Sequence, residues 1–361
     1  MVKKWSGYRL PNYLNQFQRT VYCAAIDWKR EHICEEAGFC LQKKGSEYVR
    51  QYNDALIPDN MWWRWKVPPM IYEGIREGVE QMQQSDYGYT FHNYAYHVAS
   101  SQTACVNFFF PLLMHDAADD LLRPLAPEGF DHIDRTMLYH GFQFEYGAVK
   151  EYAGREGILG DCWHGTGTDA DLVVAYRDAE GHSCLWMLEF KLTEERFTKC
   201  GAASSAYNKT KHLCRSNGMA ELTAHPDRCH YHSYCHFRYW EIMQRHADFF
   251  QGTCDADGCP FSGGINQLWR NQLLAFAIED AGYFHRVDCA VVLHPGNTKL
   301  LPVLADYERL IGHHDGTTSS ASRRRFSRFT YLDFLHHPLI GCDAGLSAWR
   351  QWMQQVYAIR S

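Results

Sequence analysis

The sequence predicts an α/β fold, a mixed sheet flanked by helices, and three features carry that expectation. Asp171–Arg177 and Cys184–Thr193 are β-rich apolar runs joined by "DAEGH", a natural hairpin turn. "GGINQLWRNQLLAFAIEDAG" places Ile265, Leu268, Trp269, Leu273 and Phe276 at helical spacing and stops at Gly282. "VDCAVVLHPG" is a short buried strand ended by Pro295-Gly296. A strand pair, a helix and a further strand fit helices packed on a sheet, not a bundle or a sandwich.

The other elements follow in chain order. Residues 1–90 read as an N-terminal helical extension. "LNQFQRTVYCAAIDWKREHICEEAGFCL" has apolar positions at helical spacing, and "DNMWWRWKVPPMIYEGIREGVEQMQQ" is an aromatic patch, a Pro-Pro break and a second helix. Residues 91–311 form the core. "HVASSQTACVNFFFPLLMH" reads as a largely buried helix with Val98, Cys105, Phe109 and Leu112 on one face, and "TMLYHGFQFEYG" as a strand leading to the hairpin. A Cys/His-rich insertion at about 195–263 separates the hairpin from the second helix. Residues 312–361 read as a polar, basic loop and a short C-terminal helix. The core order is therefore helix, three strands, helix, strand.

Composition narrows the classes. A formal charge of −6 argues against a generally basic coat but leaves room for a local basic groove. No apolar run approaches the ~20 residues needed to span a bilayer, so no membrane partner is expected. The basic N-terminus lacks a following apolar stretch, so a cytoplasmic chain is expected. In that compartment the 14 cysteines stay reduced, and a disulfide framework is not expected.

The hairpin carries the chemistry. Side chains alternate along a strand, so Glu189 and Lys191 share a face while Phe190 points away. A tight hairpin brings Asp171 beside Glu189. Two carboxylates at low dielectric repel, and a divalent cation between them relieves the repulsion. Hard oxygen ligands favour Mg²⁺ or Mn²⁺. An ammonium at Lys191 would orient or deprotonate a nucleophilic water and offset charge developing at phosphorus.

Asp171 followed by Glu189-Phe190-Lys191 on the next strand, inside that element order, resembles the PD-(D/E)xK nuclease superfamily with its restriction endonuclease-like core. "ASSQTACVNFFFPL", "GTDADLVVAY" and "LEFKLTEE" resemble a restriction endonuclease branch of bacterial genomes. The similarity runs from about His97 to Pro295. The resemblance implies a Mg²⁺-dependent endonuclease acting on DNA in restriction or anti-phage defence, with a homodimer or a defence-system protein as partner. It implies that Asp171, Glu189 and the backbone carbonyl of Phe190 bind the metal and that Lys191 serves catalysis. The chain departs from the pattern in lacking the motif proline and in carrying no acid on the first core helix. Glu145, at the end of the first strand, is the substitute ligand, with Gln102 as a residue that positions water or phosphate. From the polar stripe Gln267, Arg270 and Asn271 on the second helix, Gln267 is the first choice to face the site. An RNA- or tRNA-directed nuclease and a non-cleaving nucleic-acid-binding module remain open beside this reading.

Two further features stay open. Cys229 and Cys235 in "CHYHSYCH", with Cys254 and Cys259 in "CDADGCP", could hold a structural Zn²⁺ or an iron–sulfur cluster, or could be packing residues. Arg323, Arg324, Arg325 and Arg328 around Phe326 read as a loop that orders on nucleic-acid phosphate, or as a solvated basic loop.

Overall fold

A computed structural model describes residues 7–62, 66–147, 156–162, 167–252, 258–312 and 325–360. The first helix, α1 (Gln16–His32), begins at a capping box in which Asn15 and Gln18 satisfy each other's backbone N–H groups. Its last turn carries Lys29, Arg30 and His32, which suit the negative end of the helix dipole. The segment expected to be helical then departs from that expectation. Gly38–Lys44 (β1) and Glu47–Asn53 (β2) form an antiparallel hairpin. Gly45, at φ +64°, makes the tight turn. Nearly every residue of both strands is exposed, so no apolar alternation marked them in the sequence. The next long elements are α2 (Arg76–Gln84) and α3 (Ser101–Leu113), the latter capped by the Ser100 side chain.

Strands β3 (Phe130–Ile133), β4 (Phe142–Tyr146), β5 (Ala170–Asp178) and β6 (Ser183–Lys191) follow. After the Cys/His-rich insertion come α4 (Ile265–Asp280), β7 (Arg286–Leu293), α5 (Leu301–Leu310), β8 (Phe326–Thr330) and α6 (Ala344–Val356). The expected strand "TMLYHGFQFEYG" is cut short because Leu138 and His140 take left-handed backbone, leaving only β4 as strand. Among the described residues the sheet has six strands. β3 and β4 share one edge of β5, β6 pairs antiparallel with β5 and parallel with β7, and β8 adds parallel to β7. Strand β8 lies in the stretch expected to be loop. Only Phe326 of its residues is buried, and pairing with β7 rather than an apolar pattern makes it a strand.

Alternation divides the sheet side chains between two cores. Leu172, Val174, Tyr176, Trp186, Leu188 and Phe190 pack under α3, together with Val21, Ala25 and Ile26 of α1 and Trp349 and Met353 of α6. Val173, Ala175, Leu185 and Met187 pack on the other side against α4, α5 and the insertion. The result is a mixed sheet flanked by helices. Among the described residues no helix is long and apolar enough to cross a membrane.

His294 closes the end of β7. The Gly296 N–H donates to its Nδ1 at 3.0 Å, so Nε2 carries the proton and donates to the Tyr357 carbonyl at 2.9 Å. Burial pushes its pKa down to about 4, although the Tyr357 carbonyl opposes this. The unfolded chain therefore binds this proton first. The stabilisation is complete above the ordinary histidine value of about 6.5 and is lost as pH falls towards 4. Between pH 7.5 and 5.5 we expect wild type to lose on the order of 1 kcal/mol more stability than His294→Asn. Urea unfolding at the two pH values checks this, and equal losses would remove His294 as the titrating group.

Candidate active site

The site forms where β5 and β6 end. Their register pairs Leu172 with Leu188, so the next residues, Asp171 and Glu189, face each other across the hairpin. Asp171 Oδ2 accepts the Phe190 N–H at 2.6 Å, in place of a strand-to-strand bond. Glu189 is only 4% exposed and fully engaged. Its Oε1 lies 2.5 Å from Lys191 Nζ and accepts from Gln267 Nε2 at 2.7 Å, while Oε2 accepts from Asn271 Nδ2 at 2.8 Å. Gln267 and Asn271 reach it together because they lie one turn apart on α4. Gln267 is itself fixed by the Thr198 N–H at 2.9 Å.

Packing on the opposite face holds this geometry. The Phe190 ring stacks on Tyr331 with centroids 4.8 Å apart and also meets Phe108 and Phe109. Ser101 Oγ donates to the Phe190 carbonyl at 3.1 Å, and the Tyr331 hydroxyl donates to the Lys191 carbonyl at 2.8 Å. The backbone that presents Glu189 and Lys191 is thus anchored by aromatic burial one residue away.

A cleft of about 500 Å³ opens here, lined in part by Ser101, Gln102, Glu145, Asp169, Asp171 and Lys191. Glu145 stands at the end of β4 with φ +52°, a conformation a non-glycine residue rarely holds and one that local structure must enforce. Burial and the nearby Asp169 raise its pKa to about 7, against the hydrogen bond from Gln102. Burial and Glu189 raise Asp171 well above the ordinary carboxylate range, and burial and Glu189 also raise Asp169. Burial pushes Lys191 down, but Glu189, Asp171 and Glu194 outweigh it and its pKa is raised.

The structure therefore brings Asp171, Glu189, Lys191, Gln267, Glu145 and the Phe190 backbone to one place. It also brings Asp169 and Asn271, which the sequence reading did not select. Asp169 is set by the approach to β5. Asp161 accepts from Thr168 N at 3.0 Å and from the Tyr239 hydroxyl at 2.8 Å, and Arg270 Nη1 donates to Thr168 Oγ1 at 3.1 Å. The available signal was the second acid two residues before Asp171 and the i, i+4 partner of Gln267.

Elsewhere the structure regroups the expected residues. Arg325 is not part of a free loop: it pairs with Glu279, donates to the Val287 carbonyl at 3.1 Å and covers the Phe276 ring. Arg328 sits within β8, 3.2 Å from Glu308. Both are engaged by this chain's own acids because β8 adds to the sheet. Arg323, Arg324 and Cys254 lie outside the described residues. Of the remaining expected thiol ligands, Cys229 and Cys259 lie with Cys200 and Cys214, and Cys235 stands to one side near Cys229.

The donor set fits a hard divalent cation. Asp171 and Glu189 face each other across the hairpin beside the Lys191 ammonium, and Glu145 and Asp169 add charge from farther off, since among the described residues no three of these carboxylates bring oxygens within 4.8 Å of one another. Carboxylate and carbonyl oxygens of this kind are ligands for Mg²⁺ or Mn²⁺ rather than for soft-ligand metals.

Fold and site together define an α/β protein with a carboxylate–lysine cluster at the open end of a central hairpin. A family model described as "Restriction Endonuclease associating with ARP" matches residues 24–357, and the chain belongs to that restriction endonuclease family. No curated protein and no solved structure matches the chain.

Proposed function

We propose that the protein is a Mg²⁺-dependent endonuclease that hydrolyses DNA phosphodiester bonds, with a site of the PD-(D/E)xK kind. The observation that carries this is the convergence of Asp171, Glu189 and Lys191 at the open end of β5 and β6, where Asp171 and Lys191 line a cleft and Glu189 lies just behind them. Asp171, Glu189 and the Phe190 carbonyl would hold the ion, which when bound supplies an acidified water and polarises a phosphoryl oxygen. Lys191 holds its ammonium at the rim of the carboxylates, where it orients the attacking water and offsets charge developing at phosphorus. Gln267 and Asn271 keep Glu189 in one rotamer, so the carboxylate is already placed for the ion. Glu145 and Asp169 complete the acidic wall. Membership of a restriction endonuclease family supports the choice of nuclease and a setting in restriction or anti-phage defence inside the cell. The family description names association with ARP, and we take a partner protein as part of that setting.

Incubation with plasmid, single-stranded DNA and RNA, with Mg²⁺ or Mn²⁺ against EDTA, tests the reading. Duplex DNA should be cut only with metal. Cutting of RNA alone would move the assignment to an RNA- or tRNA-directed nuclease. Binding of DNA with no cutting under any metal would make it a non-cleaving module.

A further inference from the structure

The insertion raises a separate question of stability. Between Lys199 and Arg238 it forms one-turn to two-turn helical pieces at 201–204, 213–216, 219–224 and 230–233. The buried apolar side chains of that stretch are Ala202 and Leu222. Helices this short do not sustain themselves, and fixing each backbone residue costs roughly 1 kcal/mol. With Met219, Tyr231 and Phe237 only partly buried against the core, these apolar contacts are few for the length of chain they hold, and another tie would keep the stretch in shape.

Cys200, Cys214, Cys229 and Cys259 provide the material for one. They come from four separate pieces of chain, and direct bonds hold those pieces together. The Cys259 N–H donates to the Cys214 carbonyl at 2.8 Å. Gly258, at φ +90°, passes so near that a Cβ there would lie 2.6 Å from the Cys214 oxygen. The Ala202 N–H donates to the Tyr231 hydroxyl at 3.2 Å, which ties the turn after Cys200 to the turn after Cys229. Each thiol lies within electrostatic reach of the other three: Cys259 feels Cys229, Cys200 and Cys214, Cys200 feels Cys229 and Cys214, and Cys214 feels Cys229. Backbone N–H groups are directed at the sulfurs, from Ala203 and Ala202 to Cys200 and from Phe261 to Cys259.

The spacing distinguishes the kinds of centre. A single tetrahedral Zn²⁺ with Zn–S bonds of about 2.3 Å needs its sulfurs roughly 3.8 Å apart. Among the described residues, the ligand group drawn within 4.8 Å of itself is Asp178, His182 and His285 at the far end of the β5–β6 hairpin, and no three of these thiols are so close. A four-iron cluster, with its cysteines on the corners of a cube, holds them farther apart.

We propose that Cys200, Cys214, Cys229 and Cys259 bind an iron–sulfur cluster of the four-iron type that holds the insertion in shape. The insertion then forms a wall of the second large cleft, about 910 Å³, lined in part by Gly201, Tyr231, Tyr234, Gln267 and Arg270 and meeting the first cleft at Asp169. The cluster is structural and needs no nuclease activity to be detected, so its failure leaves the endonuclease reading standing.

The test is the metal content of the full chain purified without oxygen. Wild type should hold about four iron and about four acid-labile sulfide per chain, with the broad visible absorption of such a cluster. Cys200→Ser and Cys214→Ser should each lose most of the iron and the colour, whereas Cys235→Ser should keep both. Stoichiometric zinc without sulfide, or wild-type protein with no metal, would overturn the proposal. So would Cys235→Ser losing its iron as fully as Cys200→Ser.

Discussion

Lys191→Ala and Glu189→Ala should each reduce cleavage by at least about 10³-fold, a loss of roughly 4 kcal/mol of transition-state stabilisation. Lys191 is the ammonium beside Glu189 and Asp171, and its pKa is held up by their charge. Removing it leaves those carboxylates without the neighbouring ammonium and, in the proposed reaction, would leave the attacking water without its donor. Removing the Glu189 carboxylate deletes one of the two strand-borne acids and releases Gln267 and Asn271 from the oxygens that fix them. Both side chains are buried, and removing one partner of a buried pair costs stability as well as chemistry. Circular dichroism melting and DNA-binding anisotropy on the same preparations separate the two effects. The expected pattern is a folded variant that binds DNA and does not cut it. Cleavage within tenfold of wild type by a folded variant would place the reacting centre elsewhere.

The parts of this site that could be read from the sequence are those fixed by short-range geometry. Asp171, Glu189 and Lys191 follow from the two-residue alternation of a strand and the tight turn between β5 and β6, which together leave one register. Gln267 follows from the period of α4, whose apolar face leaves one polar stripe. What could not be read depends on distant chain. Strands β1 and β2 are exposed on both faces, and β8 exists because β7 offers it an edge, so no buried face imposes an apolar alternation on either. Arg325 looks like a free cation until Glu279, from the end of α4, is brought against it. Asp169 precedes its strand, and its place is set by Asp161, Tyr239 and Arg270 through Thr168. The thiols show the same limit: linear spacing picks Cys229 with Cys235, whereas loop packing brings in Cys200 and Cys214.

Asn107→Ala should destabilise the whole chain by on the order of 4 kcal/mol. Asn107 is fully buried in α3, and its side chain ties that helix to two distant segments. Its amide donates to the Met70 carbonyl at 2.8 Å and lies 3.0 Å from the Tyr357 hydroxyl, and its oxygen accepts the Tyr72 N–H at 2.8 Å. Trp349 of α6 donates to its backbone carbonyl at 2.7 Å. Alanine leaves the Tyr72 donor and the Met70 acceptor dry and unpaired, each costing roughly 1–3 kcal/mol, and adds a cavity. The neighbouring Phe108 touches Phe190, Tyr331 and Trp349, so the same junction backs the strand that presents Glu189 and Lys191. Guanidinium unfolding followed by tryptophan fluorescence and far-ultraviolet circular dichroism should show one coincident transition, moved to lower denaturant. Two separated transitions, with only one of them moved, would mean that the N-terminal and C-terminal segments fold apart from the sheet. Cleavage by the variant should then fall at temperatures where wild type is still fully active, because the sheet that presents Glu189 and Lys191 unfolds together with this junction.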